Sequence, residues 1–318
     1  MEARLVPVNA IIGLVTRDGL NPAALADAGL ELVGLEIPCV TSEGVVVIDV
    51  VLADPATGHF VACEAKCGNN VEVVQARRYQ ALEARTVVRS TFVTLRQRAD
   101  PTLEVVYVGL AENKERMLLS LNEAGVGFPL ITTSRQQIAL ENSEAASELL
   151  RGALATPATL TAPPASYIPF DHESDPEFIT PHVRAALVAA LAQHMPTISI
   201  ASLTERATPH YVLYAVTAQG RLRRQVGQAV RNIAANAATT FEYCPSQGNH
   251  DAFVKFLHSP EQNDPRGRTQ GYQGLARTAQ RTRRRRPEIP GQGSLLDELE
   301  KADGNEESAF EEEERDEM

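Results

Sequence analysis

The sequence predicts an α/β domain built on a mixed central sheet, followed by a smaller α+β domain and a charged tail. Three observations carry this. Residues 45–53 are a near-continuous Val/Ile run, the pattern of a strand buried on both faces of a helix-flanked sheet. After a turn and a partner strand, strand-like and helix-like patterns alternate to about residue 151, the order of a layered α/β fold. Composition then shifts to proline and small residues at 155–175, and helices followed by two strands come after it. The expected boundaries are 1–154 for the first domain, 155–175 for an interdomain linker, 176–260 for the second domain and 261–318 for a disordered tail.

Residues 1–35 read as mostly helical, with Pro22 at a helix start and Asn21 as its N-cap. A strand is expected at 35–40 and a turn at Ser42-Glu43-Gly44. The strand at 45–53 is interrupted only by Asp49, a charge that is costly inside an apolar strand unless paired or metal-bound. Residues 54–58 are a turn and 59–67 the partner strand. Beyond Gly68-Asn69-Asn70 the period changes, and Val71, Val74, Ala81 and Leu82 fit a helix to about residue 85. Further strands are expected at 86–95, 103–110 and 128–132. Helices are expected at 113–125, stopped by Gly125, and at 135–151, capped by Ser134.

In the second domain, 181–194 is an amphipathic helix and 197–200 a very short strand. A short helix from Ala201 breaks at Thr208-Pro209. Residues 217–236 form a strong helix with Leu222, Val226, Ala229, Val230 and Ile233 on its apolar face. Arg221, Arg224, Gln228 and Arg231 share its other face. Strands at 239–244 and 252–258 are joined by a Gly-containing connection at 246–250.

Charge is unevenly spread along the 318 residues. Residues 1–175 carry 13 Lys/Arg against 22 Asp/Glu, 176–286 carry 15 against 6, and 287–318 carry 2 against 13. Contact with a polyanion therefore belongs to the middle block, which ends in Arg283-Arg284-Arg285-Arg286. No apolar run reaches the roughly 18 residues of a membrane span, and the first residues lack a signal-peptide pattern. A cytoplasmic, nucleoid-associated protein without membrane contact is expected. Cys39, Cys63, Cys67 and Cys244 read as small buried thiols, since no second Cys/His pair completes the Cys63/Cys67 spacing into a zinc site.

Within 45–79, Asp49 is followed after fourteen residues by Glu64-Ala65-Lys66, and then by Gln75 and Tyr79 one helical turn apart. Glu64 and Lys66 point to one face of their strand. Glu-x-Lys alone is common. Joined to an acid inside an apolar strand and to a Gln-x-x-x-Tyr helix, it resembles the active site of the PD-(D/E)XK nuclease superfamily, with the Gln/Tyr element of RecB-like members. Ile48 stands where some members have proline. The resemblance implies a restriction-endonuclease-like mixed sheet flanked by helices and hydrolysis of DNA phosphodiesters with Mg²⁺ or Mn²⁺. Asp49, Glu64 and the Ala65 carbonyl would bind the metal. Lys66 would assist the attacking water, and Gln75 and Tyr79 would support the site. Arg77 and Arg78 would reach phosphates, and Glu36 stands where some members carry an extra acid.

The order helix, short strand, helix, helix, hairpin resembles a winged helix-turn-helix domain. That resemblance assigns DNA contacts to Arg221, Arg224, Gln228 and Arg231, joined by the arginines at 283–286. Many superfamily members work as homodimers, although nothing in the sequence marks an interface. Residues 292–299 faintly resemble sliding-clamp-binding peptides without their usual aromatic pair. The plainer reading is a brief amphipathic turn. The alternative function is a non-catalytic DNA-binding or regulatory protein on the same fold, favoured by the acidity of the first domain. RNA is the weaker substrate class, because 5% aromatic content without tryptophan offers no visible stacking platform.

Overall fold

A computed structural model describes residues 2–91, 93–95, 100–161, 166–238, 240–247 and 251–257. They all fall in one compact unit spanning Met1–Leu275. The expected tail, with its arginines at 283–286 and the segment 292–299, lies outside the described residues.

A 3-10 turn at Ala3–Leu5 leads into α1 (Val6–Val15), and α2 (Ala24–Asp27) is a single turn. Then come β1 (Glu31–Thr41), β2 (Gly44–Asp54) and β3 (His59–Lys66). Helices α3 (Val73–Gln80) and α4 (Ala84–Thr91) form the crossover to β4 (Thr102–Leu110). Helix α5 (Lys114–Glu123), β5 (Leu130–Thr133), β6 (Gln137–Leu140), α6 (Glu148–Ala153) and β7 (Ala158–Thr159) complete this half. Among the described residues the sheet has seven strands in chain order. It is parallel at β3/β4 and β4/β5 and antiparallel at the other pairings. The expected mixed sheet with flanking helices is therefore present.

Both faces of the sheet are covered over the second half of β2, which explains the apolar run after Asp49. Val45 and Val47, near the start of the strand, are exposed rather than buried as expected. Val50, Leu52, Val61 and Val106 pack in the cluster that contains Ile11 and Leu14 of α1. Val51, Ala53, Phe60 and Tyr107 pack in another, with Ala76 and Tyr79 of α3, Val87 of α4 and Met117 of α5.

Several expectations are corrected. Residues 86–95 are not a strand: Thr86, Val87 and Val88 lie in α4, where fully buried Val87 packs in that second cluster. Packing of one amphipathic face outweighs β-branched propensity. The segment 135–151 is not one helix. Ser134 Oγ accepts the Gln136 and Gln137 amides in a tight turn into β6, and the helix begins only after Ser147, whose Oγ accepts the Leu150 amide. Asn21 caps nothing. Its side chain accepts the Thr161 amide instead, and β1 starts at Glu31 rather than 35. Nor is the proline-rich segment 155–175 a bare connector, for it supplies β7 and buries Ile168 and Phe170 completely. Pro163 and Pro164 lie outside the described residues.

The second half contains α7 (Pro176–Ala192), β8 (Thr197–Ser199), α8 (Ile200–Ala207), α9 (Val216–Asn236), β9 (Phe241–Cys244) and β10 (Phe253–Phe256). Strand β10 is central in a three-stranded antiparallel sheet, β8-β10-β9. The apolar face expected for α9 is buried in full. It belongs to the same hydrophobic cluster as α1 and one face of the large sheet, so the two halves share a core. Among the described residues no helix is long and apolar enough to cross a membrane. Cys39 and Cys63 are buried as expected. Cys67 is exposed, because it follows the last residue of β3 into a turn, and Cys244 is half-buried.

Candidate functional site

Strand register builds the site. Val50 pairs with Cys63 across β2 and β3, so the next positions along the ladder are Asp49 and Glu64. On the other side of β2, Leu35 pairs with Val50 and Ile37 with Ile48, leaving Glu36 across from Asp49. The pleat reverses at this point. Leu35 and Val50 pack into the α1-side cluster, whereas Ile37 and Ile48 pack into the opposite one. Glu36 makes the reversal in a left-handed conformation, φ 49°.

Glu64 is buried and densely bonded. Gln75 Nε2 donates to Oε1 at 2.7 Å, and Lys66 Nζ lies 2.8 Å from the same oxygen. The Tyr79 hydroxyl donates to Oε2 at 2.5 Å and lies 3.0 Å from the Val47 carbonyl. Lys66 also donates to Gln75 Oε1 at 2.7 Å, closing a Glu64–Gln75–Lys66 triangle. The helical spacing of Gln75 and Tyr79 directs both side chains at one carboxylate. Tyr79 is completely buried, with its ring edge-on to Tyr107 at 6.1 Å. Burial, and next the Glu64 carboxylate, push its hydroxyl well above the ordinary tyrosine range.

Asp49 Oδ2 accepts the Ala65 amide at 2.7 Å. Burial first, and then repulsion from Glu64, raise Asp49 well above the usual carboxylate range despite that bond and Lys66. Two carboxylates thus stand close enough to oppose each other's ionisation, the electrostatic setting a cation relieves. In an extended strand the amide and carbonyl of one residue point the same way. The Ala65 carbonyl therefore lies on the Asp49 side. Among the described residues no group of three or more His, Cys, Asp or Glu side chains is arranged to hold a metal.

Asp49, Glu64, Ala65, Lys66 and Gln75 line a cavity of about 590 Å³. Glu36 lines it too, and so does Arg221, brought by α9. Arg224 continues from Arg221 in an adjoining groove, and Gln228 and Arg231 lie further along α9. Arg77 and Arg78 are not cavity residues. Arg77 is exposed, and Arg78 donates to the Val45 carbonyl at the β1–β2 turn.

Sequence reasoning missed Arg4, Asp171 and His172, all in the cavity lining. Arg4 binds Asp171 through both terminal nitrogens, joining the chain's start to the segment before α7. Burial alone would raise the Asp171 carboxyl, but Arg4 and the Glu173 amide outweigh it and hold it low. His172 Nδ1 stands 2.9 Å from Glu36 Oε2, and its Nε2 lies 3.1 Å from Arg221 Nη1. Glu36 raises the imidazole above its ordinary value, against the effect of burial. These contacts join residues from 49 to 167 positions apart and leave no local signature in the sequence.

Fold and site together define a mixed α/β protein whose sheet end carries a carboxylate pair, a lysine and a supporting glutamine and tyrosine. Residues 5–168 match the MJECL32 domain, and the chain belongs to that family. No curated protein and no solved structure matches it. The matched span includes Glu36 and the Asp49–Tyr79 constellation, whereas His172 and α9 lie beyond it.

Proposed function

We propose that the protein is a metal-dependent deoxyribonuclease of the PD-(D/E)XK type, with an endonucleolytic reaction on DNA and a winged-helix-like second half that holds the substrate. The observation that carries this reading is the bonding of Glu64 to Gln75, Tyr79 and Lys66 beside Asp49.

The donor set fits Mg²⁺ or Mn²⁺. A carboxylate has about four lone-pair sites, and three on Glu64 are in use, leaving one for a cation. Mg²⁺ needs only one or two protein carboxylates when water and substrate phosphate supply the rest. Asp49 and Glu64 would hold the ion, with the Ala65 carbonyl as a third ligand. When bound, such an ion lowers the pKa of a coordinated water and polarises the phosphoryl oxygen. Lys66 would orient the attacking water and offset charge building on the phosphate. Gln75 would keep Lys66 and Glu64 in register, while Tyr79 fixes the carboxylate plane.

Plasmid nicking with Mg²⁺ or Mn²⁺, against an EDTA control, tests the reading. Wild type nicks only with metal, and Lys66→Ala abolishes nicking while DNA binding persists. Unchanged nicking by Lys66→Ala would falsify the assignment. A second reading, a non-catalytic DNA-binding or regulatory protein on this fold, is favoured by the further carboxylates in the lining, Glu36, Glu72, Asp171 and Glu173. Metal-independent binding with no cleavage of plasmid or single-stranded DNA in any metal supports it.

A further inference from the structure

We propose that α9 guides one single strand of DNA into the cleft, making single-stranded segments rather than intact duplex the preferred substrate. This rests on reading the cleft as a DNA-cleaving site. The cavity around Asp49 and Glu64 shares His172 and Arg221 with a second groove of about 380 Å³. That groove shares Arg224 with a third of about 430 Å³, which reaches Gln228, Arg231 and Tyr243. The depressions are thus linked in succession along one helix.

Arg221, Arg224, Gln228 and Arg231 are all exposed and fall in a single stripe. With a rise of 1.5 Å per residue the stripe runs roughly 15 Å, the length of about four stacked nucleotides at ~3.4 Å each. None of its arginines forms an ion pair with a carboxylate among the described residues, in contrast to Arg4, Arg17 and Arg85. One row of cations whose contacts are with neutral or aromatic groups rather than carboxylates matches one phosphate backbone. Arg4 and Lys66 in the remaining lining are paired with Asp171 and Glu64, and Glu36, Glu72 and Glu173 there would repel a second backbone. At the outer end Tyr243 lies under the Arg231 guanidinium, 5.0 Å from ring centroid to Cζ. An aromatic ring beside a cationic groove is how sequence-tolerant single-strand binders hold bases. It is also the stacking group that the aromatic-poor sequence did not reveal.

The test is fluorescence anisotropy of the full chain in EDTA, with a labelled 12-nucleotide single strand and the matching duplex. The expected result is single-strand binding at least tenfold tighter than duplex binding. Arg224→Glu and Gln228→Glu, both at exposed positions, should each weaken single-strand binding about tenfold. Arg224→Glu should also lower the salt slope by about 0.7, the value for one lost phosphate contact on a single strand. Equal or tighter duplex binding, or wild-type single-strand binding by both variants, overturns the proposal. If the strand dependence holds but no metal supports cleavage, the nuclease reading fails and the strand path stands. Cleavage by a protein whose binding ignores both substitutions leaves the nuclease reading and removes the path.

Discussion

Glu36 stands across from Asp49 where β1 and β2 reverse the faces they show to the two cores. A left-handed backbone costs an L-residue roughly 1–2 kcal/mol, and such strain collects at functional sites. At φ 49°, Glu36 bears that cost while its carboxylate lines the cleft and contacts His172. Glu36→Gly removes the strain, offset by about 0.5–1 kcal/mol of glycine entropy and by loss of the His172 contact. The variant should unfold within about 1 kcal/mol of wild type and yet nick DNA more slowly. Chemical denaturation and the nicking assay read the two separately. A large loss of stability would show that the conformation is not strained, and undiminished nicking would remove Glu36 from the site.

Tyr79→Phe deletes one oxygen and leaves the ring against Tyr107. Glu64 Oε2 then loses its 2.5 Å donor. Groups that orient metal-binding carboxylates typically affect metal affinity or activity 10- to 100-fold. A loss of about that size in nicking is expected, recovered in part at higher Mn²⁺ concentration. If nicking is lost equally at every Mn²⁺ concentration, the hydroxyl does not act through the carboxylate.

The Asp49–Tyr79 constellation was legible because each of its links is local. A short turn sets the β2–β3 register, alternation puts Glu64 and Lys66 on one face, and helical spacing aligns Gln75 with Tyr79. The buried face of α9 was legible for the same reason. What escaped depends on distant partners. Val87 reads as a strand residue until the packing of α4 is known, and Gln137–Leu140 becomes a strand only because β5 is there to pair with it. The Arg4–Asp171 and Glu36–His172 pairs are likewise tertiary products.

His172 gives the fold a measurable pH dependence. Glu36 faces it from β1, Arg221 from α9, and Asp171 and Glu173 flank it in the chain. Its folded pKa is raised above the unfolded value of about 6.5. The stabilisation is therefore complete below about pH 6.5 and is lost as pH rises through the folded value. His172→Gln should destabilise more at pH 5.5 than at pH 9, by less than about 1 kcal/mol because the pair is partly solvated. Urea denaturation of both proteins at both pH values gives the sign. A larger deficit at pH 9 would contradict the ion pair.

Leu222 decides whether the two halves fold together. The proline-rich stretch suggested separable domains, but Leu222 is fully buried in the cluster that also contains Val50, Leu52 and Val61 of the large sheet. Leu222→Ala should cost about 2–5 kcal/mol, the range for a leucine deleted from a packed core. If the halves form one cooperative unit, that loss is felt wherever protection depends on global unfolding. Native-state hydrogen exchange of the β2 and β3 amides should then accelerate about 30-fold or more, in step with those of α9, since each 1.4 kcal/mol is a factor of ten. If α9 amides accelerate while β2 and β3 are unchanged, the sheet is stable on its own. The cleft would then be a joint between two independent domains, and Arg221 and His172 would reach Asp49 and Glu64 only when that joint is closed.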